Sequence, residues 1–281
     1  MKQAEAVALR TWDAALDLAY AMRCGRTVLA RRSSRGPLAV QKSLYPEGDR
    51  VCHTIVLHPP GGIAGGDRLT ITVNLQAGAN ALLTTPGATK WYRSAMLEAA
   101  QDVEIAAAAG AVCEWLPQEN IFFNATNGRN AIAVSLEPAA VYCGWDVMCL
   151  GRAASGERFE SGSVRQRLRV TRAGQPLFEE LGTIEGGGAL LDSPVGMAGF
   201  TVCGTFLLAG IEISKPSLDE CRDAAPAGKA RWGVTRMPDL LVARYLGSSA
   251  EEAREYFVRI WKIVRPLYSQ RAMQIPRIWA T

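Results

Sequence analysis

Histidine is almost absent from this 281-residue chain: His53 and His58 are the only two. On a strand they have opposite parity and point to opposite faces. A two- or three-histidine metal centre built by this chain is thereby disfavoured. The seven cysteines (Cys24, Cys52, Cys113, Cys143, Cys149, Cys203 and Cys221) contain no Cys-x-x-Cys pair. That argues against a zinc ribbon or a thioredoxin-type motif. Most of these cysteines sit in apolar runs, as buried free thiols do. No apolar run approaches the length of a membrane span. The leading segment MKQAEAVALRTWDAALDLAY carries charges throughout and lacks an apolar signal core. The net charge of +4 is spread along the chain rather than gathered in a stripe, which argues against a nucleic-acid partner. A soluble, cytoplasmic protein in a reducing setting is expected, with neither nucleic acid nor membrane as partner.

What is present is alternation. Hydrophobic residues make up 48% of the chain, enough for a sizeable core. Ala14, Leu16, Leu18 and Tyr20, with Trp12 before them, recur with period two. LTITVNL (69–75), NAIAVSL (130–136), SVRQRLRVT (163–171) and FTVCGTFLLAG (200–210) read as strands, and so do HTIVL (53–57), AVCEW (111–115) and LLVARYL (240–246). A dozen or more strands are expected, with the tryptophans mostly in the core. One amphipathic helix follows Ser248 or Ser249, with a capping box to Glu251 or Glu252, apolar positions through Val264 and a stop at Pro266. SLDECRD (217–223) is a shorter helix candidate, and the 86–98 region could hold another. No repeat of 20 to 50 residues stands out, and no linker divides the chain. A single mainly-β domain spanning residues 1–281 is expected.

The stretch LHPPGGIAGGDRL (57–69) gathers Gly61, Gly62, Gly65 and Gly66 between His58 and Asp67. It is not a P-loop, because Asp67-Arg68 stands where a Lys-Ser/Thr pair is needed. It is not a dinucleotide fingerprint either, because it lacks G-x-G and a strand follows it. Asp67 could bond nearby backbone N–H groups in a tight turn.

Taken with TTPGATKWYRS (84–94), EWLPQENIFFNAT (114–126) and RPLYSQRAMQIPRIWAT (265–281), the stretch resembles the urease accessory protein UreD family, also called UreH. LYPEG (44–48), GWDVMCLGR (144–152) and ASGERF (154–159) extend the resemblance over nearly the whole chain. One departure is Asn124, where the family often has an acid. The resemblance implies stacked β-sheets in a β-helix-like arrangement with few helices. It also implies a non-catalytic scaffold that works with UreF and the GTPase UreG on the urease apoprotein subunits. Nickel released by UreG would enter the two-nickel site, with UreE upstream and an internal passage as the route.

No tightly bound cofactor is expected, only transient nickel(II). A conduit needs isolated, weak ligands. The candidates are Asp67, Glu114, Glu119, Asp146, Glu157 and Glu180, each of which could equally serve a structural ion pair, with Lys90 and Arg93 available as partners; Glu157 and Glu180 are expected to lie exposed to solvent. His58, the four glycines, Lys90, Arg93, Arg277 and Trp279 are candidate partner-binding or structural residues. The Ile278–Trp279 tail is expected to dock on its own domain near the sheet edges. Two other readings stay open: an enzyme using Lys90 and Asp67 as base and acid in a cleft, and a basic module for anionic partners.

Overall fold

The computed structural model describes residues 11–94, 96–226 and 228–280; the start of the charged leading segment, up to residue 10, lies outside them. The mainly-β expectation holds. The described chain winds through about four turns of a β-solenoid-like stack and ends in a long helix. Eighteen strands stand among the described residues.

The chain crosses repeatedly between two sheets. The first has seven strands, in the spatial order Gln175–Glu185, Gly162–Arg172, Thr126–Leu136, Ala99–Ala107, Arg68–Leu75, Asp13–Arg23 and Arg26–Arg35. Its inner five are parallel, and a hairpin closes each end. The second sheet runs Arg231–Met237, Leu240–Gly247, Val202–Ala209, Val141–Leu150, Val112–Trp115, Asn80–Thr84, Val51–Leu57 and Ala39–Val40. Three short strands, Gly62–Ile63, Thr89–Trp91 and Asn120–Phe122, form a parallel ladder that joins this sheet at Val141–Leu150. Parallel neighbours need a crossover, and here the opposite sheet supplies it instead of a helix.

A structural repeat is present after all. Tight turns at 76–79, 108–111 and 137–140 carry the chain from the first sheet to the second. In each, the N–H of the last residue (Ala79, Ala111, Ala140) bonds the carbonyl of the first at 3.0 Å. The third residue has positive φ (Gly78 +69°, Gly110 +67°, Ala139 +61°), which a type II turn requires at that place. The three alanines are fully buried and stack through backbone bonds, Val112 N–H to Ala79 and Val141 N–H to Ala111. QAGA, AAGA and EPAA share a shape but little sequence.

Inward side chains such as Leu16, Leu18, Val73, Ile105, Leu83 and Tyr142 fill the space between the sheets. A second core lies on the outer face of the second sheet, where helix Ala250–Ser269 seats Phe257, Ile260, Trp261 and Val264 against Trp145 and Phe206. Ser249 caps this helix by accepting from the Glu252 N–H at 3.2 Å. Pro266 does not end it. The proline only forgoes one backbone bond, and the last turn is held by side chains: Ser269 Oγ donates to the Arg265 carbonyl at 2.8 Å and Tyr268 Oη donates to Glu114 at 2.6 Å. Gln270, at φ +53°, stops the helix.

Other expectations need correcting. Helix Lys215–Asp223 starts earlier than the sequence pattern suggested, capped by Ser214 with Pro216 in its first turn. The described residues of 86–98 hold the strand Thr89–Trp91 between bends, and no helix. Trp12 and Trp232 are 50% and 40% exposed, because each sits at a margin of its sheet. The tail does self-dock, but over the middle of the second sheet: Trp279 Nε1 donates to Thr84 Oγ1 at 2.7 Å and its ring lies 5.7 Å from that of Trp145.

One buried guanidinium ties the helix to the solenoid. Arg265 is fully buried; it donates to Glu47 at 2.6 and 2.8 Å and to Glu114 at 3.0 Å. Arg265→Leu would strand two buried carboxylates without a cation. Urea unfolding should show a loss of about 3–5 kcal/mol. A loss no larger than an exposed pair's, about 1 kcal/mol or less, would show that the clamp is not what holds the helix.

Candidate functional site: a buried carboxylate shared by two cavities

Three polar side chains interrupt the apolar face that the first sheet turns inward. Gln101, Asn130 and Gln166 take inward positions on strands whose other inward residues include Val103, Ile105, Ile132, Val134, Val164 and Leu168. They are register partners and form one rung across three parallel strands. The second sheet answers with a rung of its own, in which Asp146 is paired with Thr205 and Thr205 with Arg244.

Asp146 is the centre of this layer. It is 3% exposed, and no cation pairs with it among the described residues. Its Oδ1 accepts from Asn120 Nδ2 at 2.8 Å. Its Oδ2 accepts from Asn130 Nδ2 at 2.9 Å and Gln166 Nε2 at 2.8 Å. Trp91 Nε1 donates to Asn120 Oδ1 at 3.0 Å, which orients that carboxamide. Burial pushes the Asp146 carboxyl above the usual range; the three amide bonds pull it back, and the charge of Glu180 adds to the rise.

Two cavities meet at this carboxylate. One, of about 330 Å³, has exposed Gly61, Pro86, Gly87 and Lys90 at its rim and reaches Asn120, Asn130 and Asp146. The other, of about 210 Å³, starts from Asp146 and Gln166 and reaches Glu180 and Arg244. Asp146 is a wall of both. His58 lines the first cavity, and its two ring nitrogens are shielded without a hydrogen-bond partner. Burial lowers its pKa against the pull of the Asp67 charge, which favours the neutral imidazole.

The six candidate acids part company. Asp146 and Glu180 line the cavities, with Glu180 held by Arg244 at 2.5 Å. Glu114 points the other way on its strand, into the helix interface, where Arg265, Trp261 and Tyr268 occupy its oxygens. Glu119 pairs with Arg254 at 3.4 Å and Glu157 with Arg152 at 2.6 Å. Asp67 is buried in a turn: Oδ1 accepts from the Trp12 N–H at 2.7 Å and Oδ2 from the Ala64 N–H at 2.9 Å. Both its oxygens serve the backbone, and no hydrogen bond or ion pair joins it to Lys90, which lies exposed on the cavity rim. The ion-pair partners of the acids are thus Arg265, Arg254, Arg152 and Arg244; Arg93 helps Glu157 only through its charge, and Lys90 pairs with none of the six. Arg93 and Arg277 are exposed. Asn124 Oδ1 accepts from the N–H groups of Ala125, Glu160 and Ser161 at 2.9–3.0 Å. An acid in its place could accept the same bonds, so the position holds a loop.

The glycine-dense stretch is the connection from the second sheet past the short ladder to the first. Gly61 and Gly66 have φ of +73° and +92°. A Cβ on Gly62 would fall 2.5 Å from the Tyr92 ring and 2.8 Å from the Lys90 carbonyl. Glycine is required there for backbone approach and not for phosphate. Sequence reasoning missed Gln101, Asn120, Asn130 and Gln166. The signal for three of them was present, a polar residue on the core-facing parity of an alternating strand.

Fold and site together define a β-solenoid in which two cavities share one buried carboxylate that no cation pairs with among the described residues. A family model, UreD urease accessory protein, matches residues 13–280. The chain is 50% identical over 270 residues to the urease accessory protein UreD of Azoarcus sp. (strain BH72), covering 96% of this chain and 94% of that protein. It is 49% identical to the UreD of Dechloromonas aromatica (strain RCB), covering 96% and 95%, and 45% identical to that of Methylobacillus flagellatus, covering 97% and 95%. The chain belongs to the UreD urease accessory protein family.

The raised Asp146 carboxyl sets a sign for stability. A group whose folded pKa exceeds its unfolded one favours the fold fully below the unfolded value and loses that contribution as pH rises through the folded value. Asp146→Asn removes this titration. Its unfolding free energy relative to the parent should therefore improve steadily from the ordinary carboxylate range toward neutral pH. A flat difference across that window would show that Asp146 is not destabilised by its burial.

Proposed function

We propose that this chain serves urease maturation as a non-catalytic scaffold. With a UreF-like protein and the GTPase UreG it docks on the urease apoprotein and lets nickel(II) pass into the two-nickel site, while UreE supplies UreG. GTP hydrolysis belongs to UreG. Nickel is cargo and not a resident cofactor.

The observation that carries this reading is Asp146, shared by two cavities and held by three neutral carboxamides. An arginine partner would cancel the charge and repel a divalent ion. Carboxamides orient the carboxylate and leave the charge in place. A single acid cannot trap a metal that takes four to six ligands. No group of three or more His, Cys, Asp or Glu residues suited to a metal occurs among the described residues. Such a path gives the ion a foothold and lets it go, as conduction requires. At the far end, Glu180 is paired with Arg244, so by the same reasoning it offers the ion no second hold.

Reconstitution tests the reading. The urease subunits, the other accessory proteins and nickel are supplied with the parent chain, with Asp146→Asn, or with no such chain. The variant should still assemble with its partners. Urease activity and bound nickel should fall to the level seen without the chain. Full activation by the variant would sink the passage reading while leaving a scaffold role intact.

A further inference from the structure

The metal-binding atoms that the proposed passage offers from its buried polar side chains are mostly oxygen. Asp146, Asn120, Asn130, Gln101 and Gln118 present carboxylate or carboxamide groups to the first cavity. Oxygen donors of this kind suit magnesium and calcium as well as they suit nickel. Electrostatics does not discriminate either, because these ions carry the same charge. A route built only from these groups would fill with the most abundant divalent cation.

His58 is the exception. The chain has two imidazoles, and the other, His53, is 4% exposed with its Nε2 committed to Glu47 at 2.6 Å. His58 directly follows the strand Val51–Leu57 and opens the next turn, in which the Gly61 N–H bonds the His58 carbonyl at 2.8 Å and fixes the backbone. Its side chain lines the first cavity together with the rim residues Gly61 and Lys90. Buried imidazole nitrogens ordinarily have partners, and metal-binding histidines ordinarily bond through their free nitrogen to an outer group. Here neither nitrogen has one. A ring sheltered and unbonded on a cavity wall is a nitrogen ligand in waiting.

We propose that His58 is the specificity-determining residue of the passage, a single imidazole ligand near its rim that selects nickel(II) and similar nitrogen-seeking cations over magnesium and calcium. The inference rests on the reading that a divalent metal crosses this passage, and it names the step at which the metal is chosen. One imidazole gives preference without capture, because the remaining ligands are water and neutral carboxamides. The ion is then free to move inward to Asp146.

The test uses the untagged full chain. Equilibrium dialysis would measure nickel(II) binding with and without excess magnesium for the parent, His58→Gln and His58→Cys. Glutamine keeps bulk and polarity but offers oxygen; cysteine restores a ligand that prefers transition metals. The parent and His58→Cys should hold nickel against magnesium. His58→Gln should lose at least about tenfold of its nickel-over-magnesium preference, the order that even an outer-sphere change costs a metal site. A second readout needs no variant. With the histidine rings isotopically labelled, paramagnetic nickel(II) should broaden the His58 ring signal earlier in a titration than that of His53. An unchanged preference in His58→Gln overturns the proposal, and so does equal or absent broadening of the two rings. The two levels of inference separate cleanly. If Asp146→Asn still matures urease, the passage reading itself fails. If Asp146→Asn blocks maturation while His58 neither broadens nor discriminates, the passage stands and only the role of His58 is lost.

Discussion

The structure depends on how one arginine is buried. Arg265 lies between Glu47, from the loop ahead of the strand Val51–Leu57, and Glu114, from the middle of the second sheet. A lone charge there would cost several kcal/mol in desolvation. Two carboxylates around one guanidinium offset that cost only because the remaining acceptor capacity is used. Trp261 and Tyr268 donate to Glu114, and His53 is bonded to Glu47. Burial works to raise the Glu47 carboxyl, but the bonds from His53 and Arg265 outweigh it and hold it low. The helix, the early loop and the central strand therefore share one electrostatic knot. The helix covers the outer face of the second sheet, so that sheet keeps both faces packed, as parallel strands require.

A sheet covered on its outer face can afford something unusual on its inner one. Most of the space between the sheets is close-packed hydrocarbon, but the Asp146 rung is not. Buried polar groups persist when each finds a partner, and here the partners are one another: Trp91 to Asn120, Asn120 to Asp146, Gln101 to Asn130, and Gln166 to Asp146. Because the rung is satisfied from both sheets, it also fixes their register across the gap. The same bonds that stabilise the layer keep it from collapsing into a dry core. A passage is thus compatible with stability instead of being bought at its expense.

How far the sequence could be read follows from what each signal encodes. Alternation of Ala14, Leu16, Leu18 and Tyr20 reports one buried face, and the strands were legible wherever that pattern held. The Ser249–Glu252 cap was legible because it is local. Pro266 misled because its local penalty was outweighed by distant contacts through Arg265 and Tyr268. The repeat was hidden because it lies in turn geometry: Gly78, Gly110 and Ala139 share a conformation that two glycines and one alanine reach by different means. At the site, acids drew attention for their charge, yet Glu114 and Asp146 stand on opposite sides of the same sheet. Parity against Trp115 and Trp145 could have hinted at this, but only the opposite sheet reveals which side holds a cavity. The carboxamides escaped because Asn and Gln carry no charge.

That blindness to neutral donors is instructive about the chemistry. A strong metal site announces itself by clustered ligands, since tight binding needs several at once. A transport path has the opposite requirement, because every added ligand deepens a well the cargo must climb out of. The residues best suited to such a path are those that leave the weakest mark: one carboxylate without a cation, amides that orient it, and one imidazole with nothing yet to bind. With two histidines and no Cys-x-x-Cys pair, the chain has little from which to build a tight storage site. The proposed role, passing nickel on, asks for none.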